Sequence, residues 1–69
     1  MNSFKDKIQQ LRHSAGYTQR EIATFAGITE VCYQMYEYGK RIPDARTATL
    51  IAKALHTTVE NLWGGNSTK

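Results

Sequence analysis

Residues 18–39 read TQREIATFAGITEVCYQMYEYG, with two helix starts and two helix stops in close succession. Thr18 and Glu21 have the spacing of a capping box, in which the threonine hydroxyl accepts from a backbone N–H inside the helix and the glutamate carboxylate reaches back to the cap N–H. The apolar Ile22 and Ala23 follow at once, so a helix begins here. It is short, because Gly27 supplies the backbone freedom of a sharp turn and Thr29, two residues later, offers a second cap. The pattern predicts helices over about 18–25 and 29–38, joined by a three-residue turn, with Gly39 as the left-handed stop of the second.

The flanks extend the pattern. Phe4, Ile8 and Leu11 recur at helical spacing after Asn2 and Ser3, either of which can cap, predicting a first helix over about 3–14 that Gly16 ends. Residues 40–43 form a basic loop. Pro43 then Asp44 read as a boundary and a cap, and Ala48, Ile51, Ala54 and Leu55 mark one face of a fourth helix over about 44–55. Thr58 caps a short fifth over about 58–63, whose apolar side is Val59, Leu62 and Trp63. Gly64 and Gly65 break it, leaving residues 64–69 as an expected flexible tail. With no strand pattern and no repeat, the expected fold class is all-α: five helices in one domain over 1–63.

Composition narrows the function classes. A chain of 69 residues holds one small core, which buries only roughly 60% of the surface the unfolded chain exposes. With a single cysteine, Cys32, and two distant histidines, His13 and His56, neither a disulfide nor a metal site is expected to reinforce it, nor any cofactor. No basic stretch leads into an apolar run and no run is long enough to cross a bilayer, so the expectation is a soluble cytoplasmic protein with no membrane partner. Nine Lys and Arg against six Asp and Glu give a net charge of +3, which suits a polyanionic partner without requiring one. No acid and base pair, nucleophile constellation or phosphate loop can be assembled, so an enzyme is not expected.

Residues 8–62 resemble the Cro/C1-type (XRE-like) helix-turn-helix family of phage repressors and bacterial regulators, whose domain is the five-helix lambda-repressor-like fold. The resemblance rests on Leu11 and Arg12; on Thr18, Gln19, Glu21, Ile22, Ala23, Gly27, Ile28 and Thr29; on Glu37 and Gly39; and on Pro43, Thr47 and the run from Ile51 to Leu55. It implies a bacterial or phage-encoded, nucleoid-associated regulator of transcription, in the first instance a repressor, that binds double-stranded DNA with residues 29–38 in the major groove. It also implies that Gln19 grips phosphate at the start of the second helix, where Arg20 adds charge, and that Tyr38, Lys40 and Arg41 touch the sugar-phosphate backbone. Arg12 and Glu37 are implied to form a partly buried ion pair with a structural role.

The residues of the third helix sort into faces that suit this reading. At about 100° per residue, Thr29, Cys32, Tyr33 and Tyr36 fall on one side and Glu30, Val31, Gln34, Met35 and Tyr38 on the other. The second face suits a groove in which base pairs present donors, acceptors and the thymine methyl: Gln34 toward adenine, Val31 and Met35 toward thymine methyls or sugar edges, Thr29 toward a base or a phosphate. Glu30 has two even readings, an acceptor for cytosine N4 or a charge favourable at a helix N-terminus. Cys32, Tyr33 and Tyr36 read as core.

Two residues depart from the family pattern. Phe25 stands where a polar residue is usual and Ala26 where a large apolar one is, so the ring either swings in to fill the space, the favoured reading, or forms a partner surface. His56 replaces the usual glycine or asparagine at the end of the fourth helix. Val59, Leu62 and Trp63 could close the core, form a dimer surface, or both. A homodimer, weak or DNA-assisted, on a palindromic or pseudo-palindromic operator is the expected assembly, since one such helix reads too few base pairs. The alternative is a protein-interaction module on the same fold, an antitoxin or accessory regulatory factor that uses Phe25, Val31 and Met35.

Overall fold

A computed structural model describes residues 4–62. These residues are all-helical, in the order α1 (Phe4–Ala15), α2 (Gln19–Ala26), α3 (Glu30–Glu37), α4 (Ala45–Ala54) and α5 (Val59–Leu62). The Asn2 and Ser3 cap, Trp63, the Gly64 and Gly65 stop and the tail at 64–69 lie outside the described residues.

Local chemistry sets each start. The Thr18 hydroxyl accepts from the Glu21 N–H at 3.0 Å while the Glu21 carboxylate accepts from the Thr18 N–H at 2.8 Å, completing the capping box. Thr29 accepts from the Cys32 N–H at 3.1 Å, Asp44 from the Thr47 N–H at 2.8 Å and Thr58 from the Asn61 N–H at 3.2 Å. The helices therefore begin one residue after the caps, since a cap side chain bonds into the first turn only from extended backbone, as at φ −75° and ψ 155° for Thr29. Left-handed residues follow each of α1 to α4. Gly27 sits at φ 74° with open space where a Cβ would be, so its conformation alone explains the glycine; Gly39 sits at φ 75°.

The core gathers Phe4 and Ile8 of α1, Ile22, Ala23 and Ala26 of α2, Tyr33 and Tyr36 of α3, Ile51 and Ala52 of α4, Leu55 and Leu62. α2 packs against both α3 and α4, α1 against α3 and α5, and α4 against α5. Leu62 is fully buried, which corrects its expected share in a dimer surface: the side chain is committed to the domain's own interior. Of that trio only Val59, half-buried, reaches the surface among the described residues.

Phe25 also departs from expectation. The favoured inward swing does not occur; the ring is 56% exposed and meets Tyr17 edge-on, centroids 5.4 Å apart at 80°. Ala26 and Ala23 are each only 2% exposed, so neighbouring helices already cover the position beside them and leave no gap for a ring. The edge-to-face pair fits the aromatic quadrupoles and holds Phe25 on the surface.

His56 adopts φ 58°, a left-handed position that costs a side chain with a Cβ about 1–2 kcal/mol. We expect His56→Gly to raise the melting temperature by a few degrees and His56→Val to lower it, because β-branching makes this region worse. Thermal unfolding followed by circular dichroism checks both, and a fall for the glycine variant would contradict the strain.

Candidate nucleic-acid interface

The interface is organised around a carboxylate. Glu37 is only 2% exposed at the C-terminal end of α3. Arg12 of α1 donates to it twice, Nε to Oε2 at 2.6 Å and Nη2 to Oε1 at 3.1 Å, and its Nη1 donates to the Tyr17 carbonyl at 2.9 Å. Gln19, the first residue of α2, donates from Nε2 to Glu37 Oε1 at 3.0 Å, and Gln9 donates to the Glu37 backbone carbonyl at 2.8 Å. One ion pair thus ties α1, the start of α2 and the end of α3 together.

Burial alone would push the Glu37 carboxyl up, but hydrogen bonds from Arg12 and Gln19, the nearby Tyr33 hydroxyl and the Arg12 charge outweigh it and hold the group below the usual carboxylate range. The hydrogen bond to Glu37 likewise raises Arg12. The Tyr33 hydroxyl lies fully buried beside this pair, yet it makes no hydrogen bond of good geometry. Burial, then the neighbouring Glu37, pushes it well above the ordinary phenol range, so it stays protonated. Tyr36, pushed up to about 12 by burial and then by its contact with Cys32, stays protonated too; the Cys32 thiol lies 3.3 Å from its oxygen.

With Tyr33, Tyr36 and Glu37 turned inward, α3 leaves its other face open. Glu30 and Val31 are exposed, Val31 at 65%, and Gln34 and Met35 are half-buried. Thr29 is exposed, with its oxygen already accepting as the cap. Tyr38, Lys40 and Arg41, just beyond α3, are exposed, as is Arg20 in the first turn of α2. Gln19 is not a free surface amide: besides its bond to Glu37, its Oε1 accepts from Gln34 Nε2 at 3.1 Å. The sequence reading put Gln19 and Gln34 in separate roles, and no spacing rule marks residues 15 apart as partners. It also missed Ile42, which is 78% exposed in the basic loop between Arg41 and Pro43, and whose aliphatic side chain gave no signal among cations.

These features have known counterparts. The model of a family described as helix-turn-helix matches residues 8–62, the span of the Cro/C1-type resemblance. The chain belongs to the helix-turn-helix family. It is 37% identical over 62 residues to the SPbeta prophage-derived uncharacterized HTH-type transcriptional regulator YonR of Bacillus subtilis (strain 168), covering 90% of this chain and 57% of that protein. The chain spans little more than half the length of the curated relatives it matches. In fold this helix-turn-helix chain is similar to the P22 c2 repressor in complex with a synthetic operator (TM-score 0.88, 18% identity, 96% of this chain and 100% of that one). It is also similar to the restriction-modification controller protein C.AhdI from Aeromonas hydrophila (TM-score 0.84, 23% identity, 87% of this chain and 91% of that one). None of the described helices is long and apolar enough to cross a membrane.

The ionised form of Glu37 is favoured in the folded state, so its contribution is complete above the unfolded carboxylate range and is lost as pH falls through and below it. The melting temperature should be flat from neutral pH to about 6 and fall below about pH 5, with a smaller fall in Glu37→Gln. That variant should itself cost about 3–5 kcal/mol at pH 7 by leaving Arg12 uncompensated. Tyr33→Phe removes a hydroxyl that makes no good hydrogen bond, and urea unfolding should place it within about 1 kcal/mol of the parent; a larger loss would reveal a partner for that oxygen.

Proposed function

We propose that this chain is a sequence-specific double-stranded DNA-binding domain of a transcriptional regulator, in the first instance a repressor acting in the cytoplasm. The observation that carries the reading is the division of α3: Tyr33, Tyr36 and Glu37 anchor it, while Glu30, Val31, Gln34 and Met35 are left outward or half-outward with no interior for their open side to serve. A helix held this way suits a major groove, where each base pair presents its own pattern of donors, acceptors and methyl groups. The exposed Arg20, Lys40 and Arg41, with Tyr38, are placed in sequence on both sides of that helix, where cations would neutralise phosphate and set orientation without reading sequence. Gln19 retains one N–H for a phosphate oxygen after its bond to Glu37.

The names of the relatives support regulation of transcription, and the operator in the P22 c2 complex supports duplex DNA as ligand. A homodimer on a palindromic or pseudo-palindromic operator completes the reading, since two such helices would read half-sites about 34 Å apart. A second reading, a protein-contact module, draws on the exposed Phe25, which lines a shallow groove with Tyr17, Lys53, Ala54 and His56.

Binding of selected and random duplexes across a salt series separates the two. We expect log K to fall with log salt at about −0.9 per phosphate contacted. Lys40→Ala should weaken all duplexes about equally and reduce that slope by about one contact, whereas Gln34→Ala should change base preference. Equal loss on every sequence for both variants would overturn the base-reading assignment, and a protein complex that persists in high salt with no duplex bound would favour the second reading.

A further inference from the structure

Phe25 and His56, the two side chains for which the interior gives least reason, meet in one shallow groove with Tyr17, Lys53 and Ala54. The Phe25 ring stays outside a core that is already closed over Ala23 and Ala26, and Tyr17 holds it edge-on. His56 is exposed and left-handed, at a place where glycine would fit without strain. The turn it closes uses its backbone and not its imidazole: the His56 N–H donates to the Lys53 carbonyl at 3.1 Å and the Thr57 N–H to the Ala52 carbonyl at 2.8 Å. The other two helix ends at the groove close in the same way, Tyr17 N–H to the Arg12 carbonyl at 3.1 Å and Ile28 N–H to the Ala23 carbonyl at 3.0 Å. Such closure fixes the groove before anything binds, and it occupies helix-end carbonyls that would otherwise repel an anion.

We infer that this groove docks an acidic segment of a partner protein, which lays an apolar side chain on Phe25 and Tyr17 and sets a carboxylate beside Lys53 and His56. The inference goes beyond the DNA-binding reading, because none of the residues assigned to the duplex lines the groove. Its shallowness excludes a small molecule, which needs a pocket that encloses most of its surface. Charge then selects among larger partners. Among the described residues, Lys53 is the one formally charged side chain that lines the groove, its exposed ammonium is open to a carboxylate, and no acidic side chain lines it. The carboxylate one turn before Phe25, that of Glu21, already accepts from the Thr18 N–H at 2.8 Å. One cation is too few to hold a phosphate backbone, whose binding rests on several such contacts. A second copy of this chain would bring a like net charge of +3. A rigid, exposed aromatic beside a cation fits a segment that alternates apolar and acidic side chains, with the ring as anchor.

The test titrates isotope-labelled chain with three synthetic peptides: aspartates and glutamates around a central leucine and phenylalanine, the same with lysine in place of every acid, and the acidic one with alanines at its centre. The first should shift the resonances of Tyr17, Phe25, Ala54 and His56 saturably, and the other two should not. Phe25→Ser should weaken that binding by about tenfold. Lys53→Glu should weaken it by about threefold or more and turn the preference toward the lysine peptide, whereas Arg46→Glu, with the same change of net charge at the far end of α4, should leave it unchanged. Each variant changes an exposed side chain, and circular dichroism checks its fold; the reversal in Lys53→Glu decides the matter even if Phe25→Ser unfolds. Equal binding of acidic and lysine peptides, shifts centred away from the groove, or equal loss in Lys53→Glu and Arg46→Glu would overturn the inference. So would groove shifts that appear on concentrating the chain alone, which would give the surface to a second copy, or on adding duplex. None of the peptide titrations contains DNA, so their failure leaves the DNA-binding reading standing, and a chain that binds no duplex leaves this inference standing.

Discussion

The pair formed by Arg12 and Glu37 is the contact on which the arrangement of the other helices depends. Burying two charges is costly, and attraction alone seldom repays it; the pair is tolerable here because nearly every polar group around it is used. The carboxylate accepts from two nitrogens of the guanidinium, Nε and Nη2, and from Gln19, and the third nitrogen, Nη1, donates to the Tyr17 carbonyl at the turn between α1 and α2. Gln9 adds the backbone carbonyl of Glu37 itself. The bidentate geometry leaves little freedom in how α1 meets α3, so the pair fixes an orientation as well as a contact.

That constraint matters because α3 is short and cannot hold itself. A helix of eight residues is marginal alone, and its stability must come from the face it buries. Tyr33 and Tyr36 supply the apolar part of that face and Glu37 the polar clamp at its end. The open side is then carried on a rigid element, which is what a surface that must match another molecule requires. The buried Tyr33 hydroxyl shows the cost of filling this space with a phenol: the ring packs, and its oxygen comes close to a charge pair without a good bond to it.

The same packing explains why aromatic surface remains outside. Small residues at 23 and 26 bring α2 close to its neighbours, and the ring that could have filled a wider space lies instead against Tyr17. Lys53, Ala54 and the left-handed His56 share the groove beside it. α4 ends there because its C-terminal turn closes through a histidine in a conformation better suited to glycine.

Residue order by itself determined the helices and their punctuation. Thr18, Thr29, Asp44 and Thr58 cap, and Gly27 and Gly39 stop, through bonds and torsions that span four residues or fewer, so each is legible from its own neighbourhood. The inward and outward sides of α3 were legible for the same reason, since a helix converts spacing into direction. The Arg12–Glu37 pair was known only through family resemblance. What only the tertiary structure decided is what meets across separate helices: Gln34 on Gln19, Gln9 on the end of α3, Phe25 left out of the core and Leu62 taken wholly into it. Such contacts join residues far apart in the chain, and they depend on how closely whole helices approach, a quantity that the packing of every side chain sets together and no local pattern encodes.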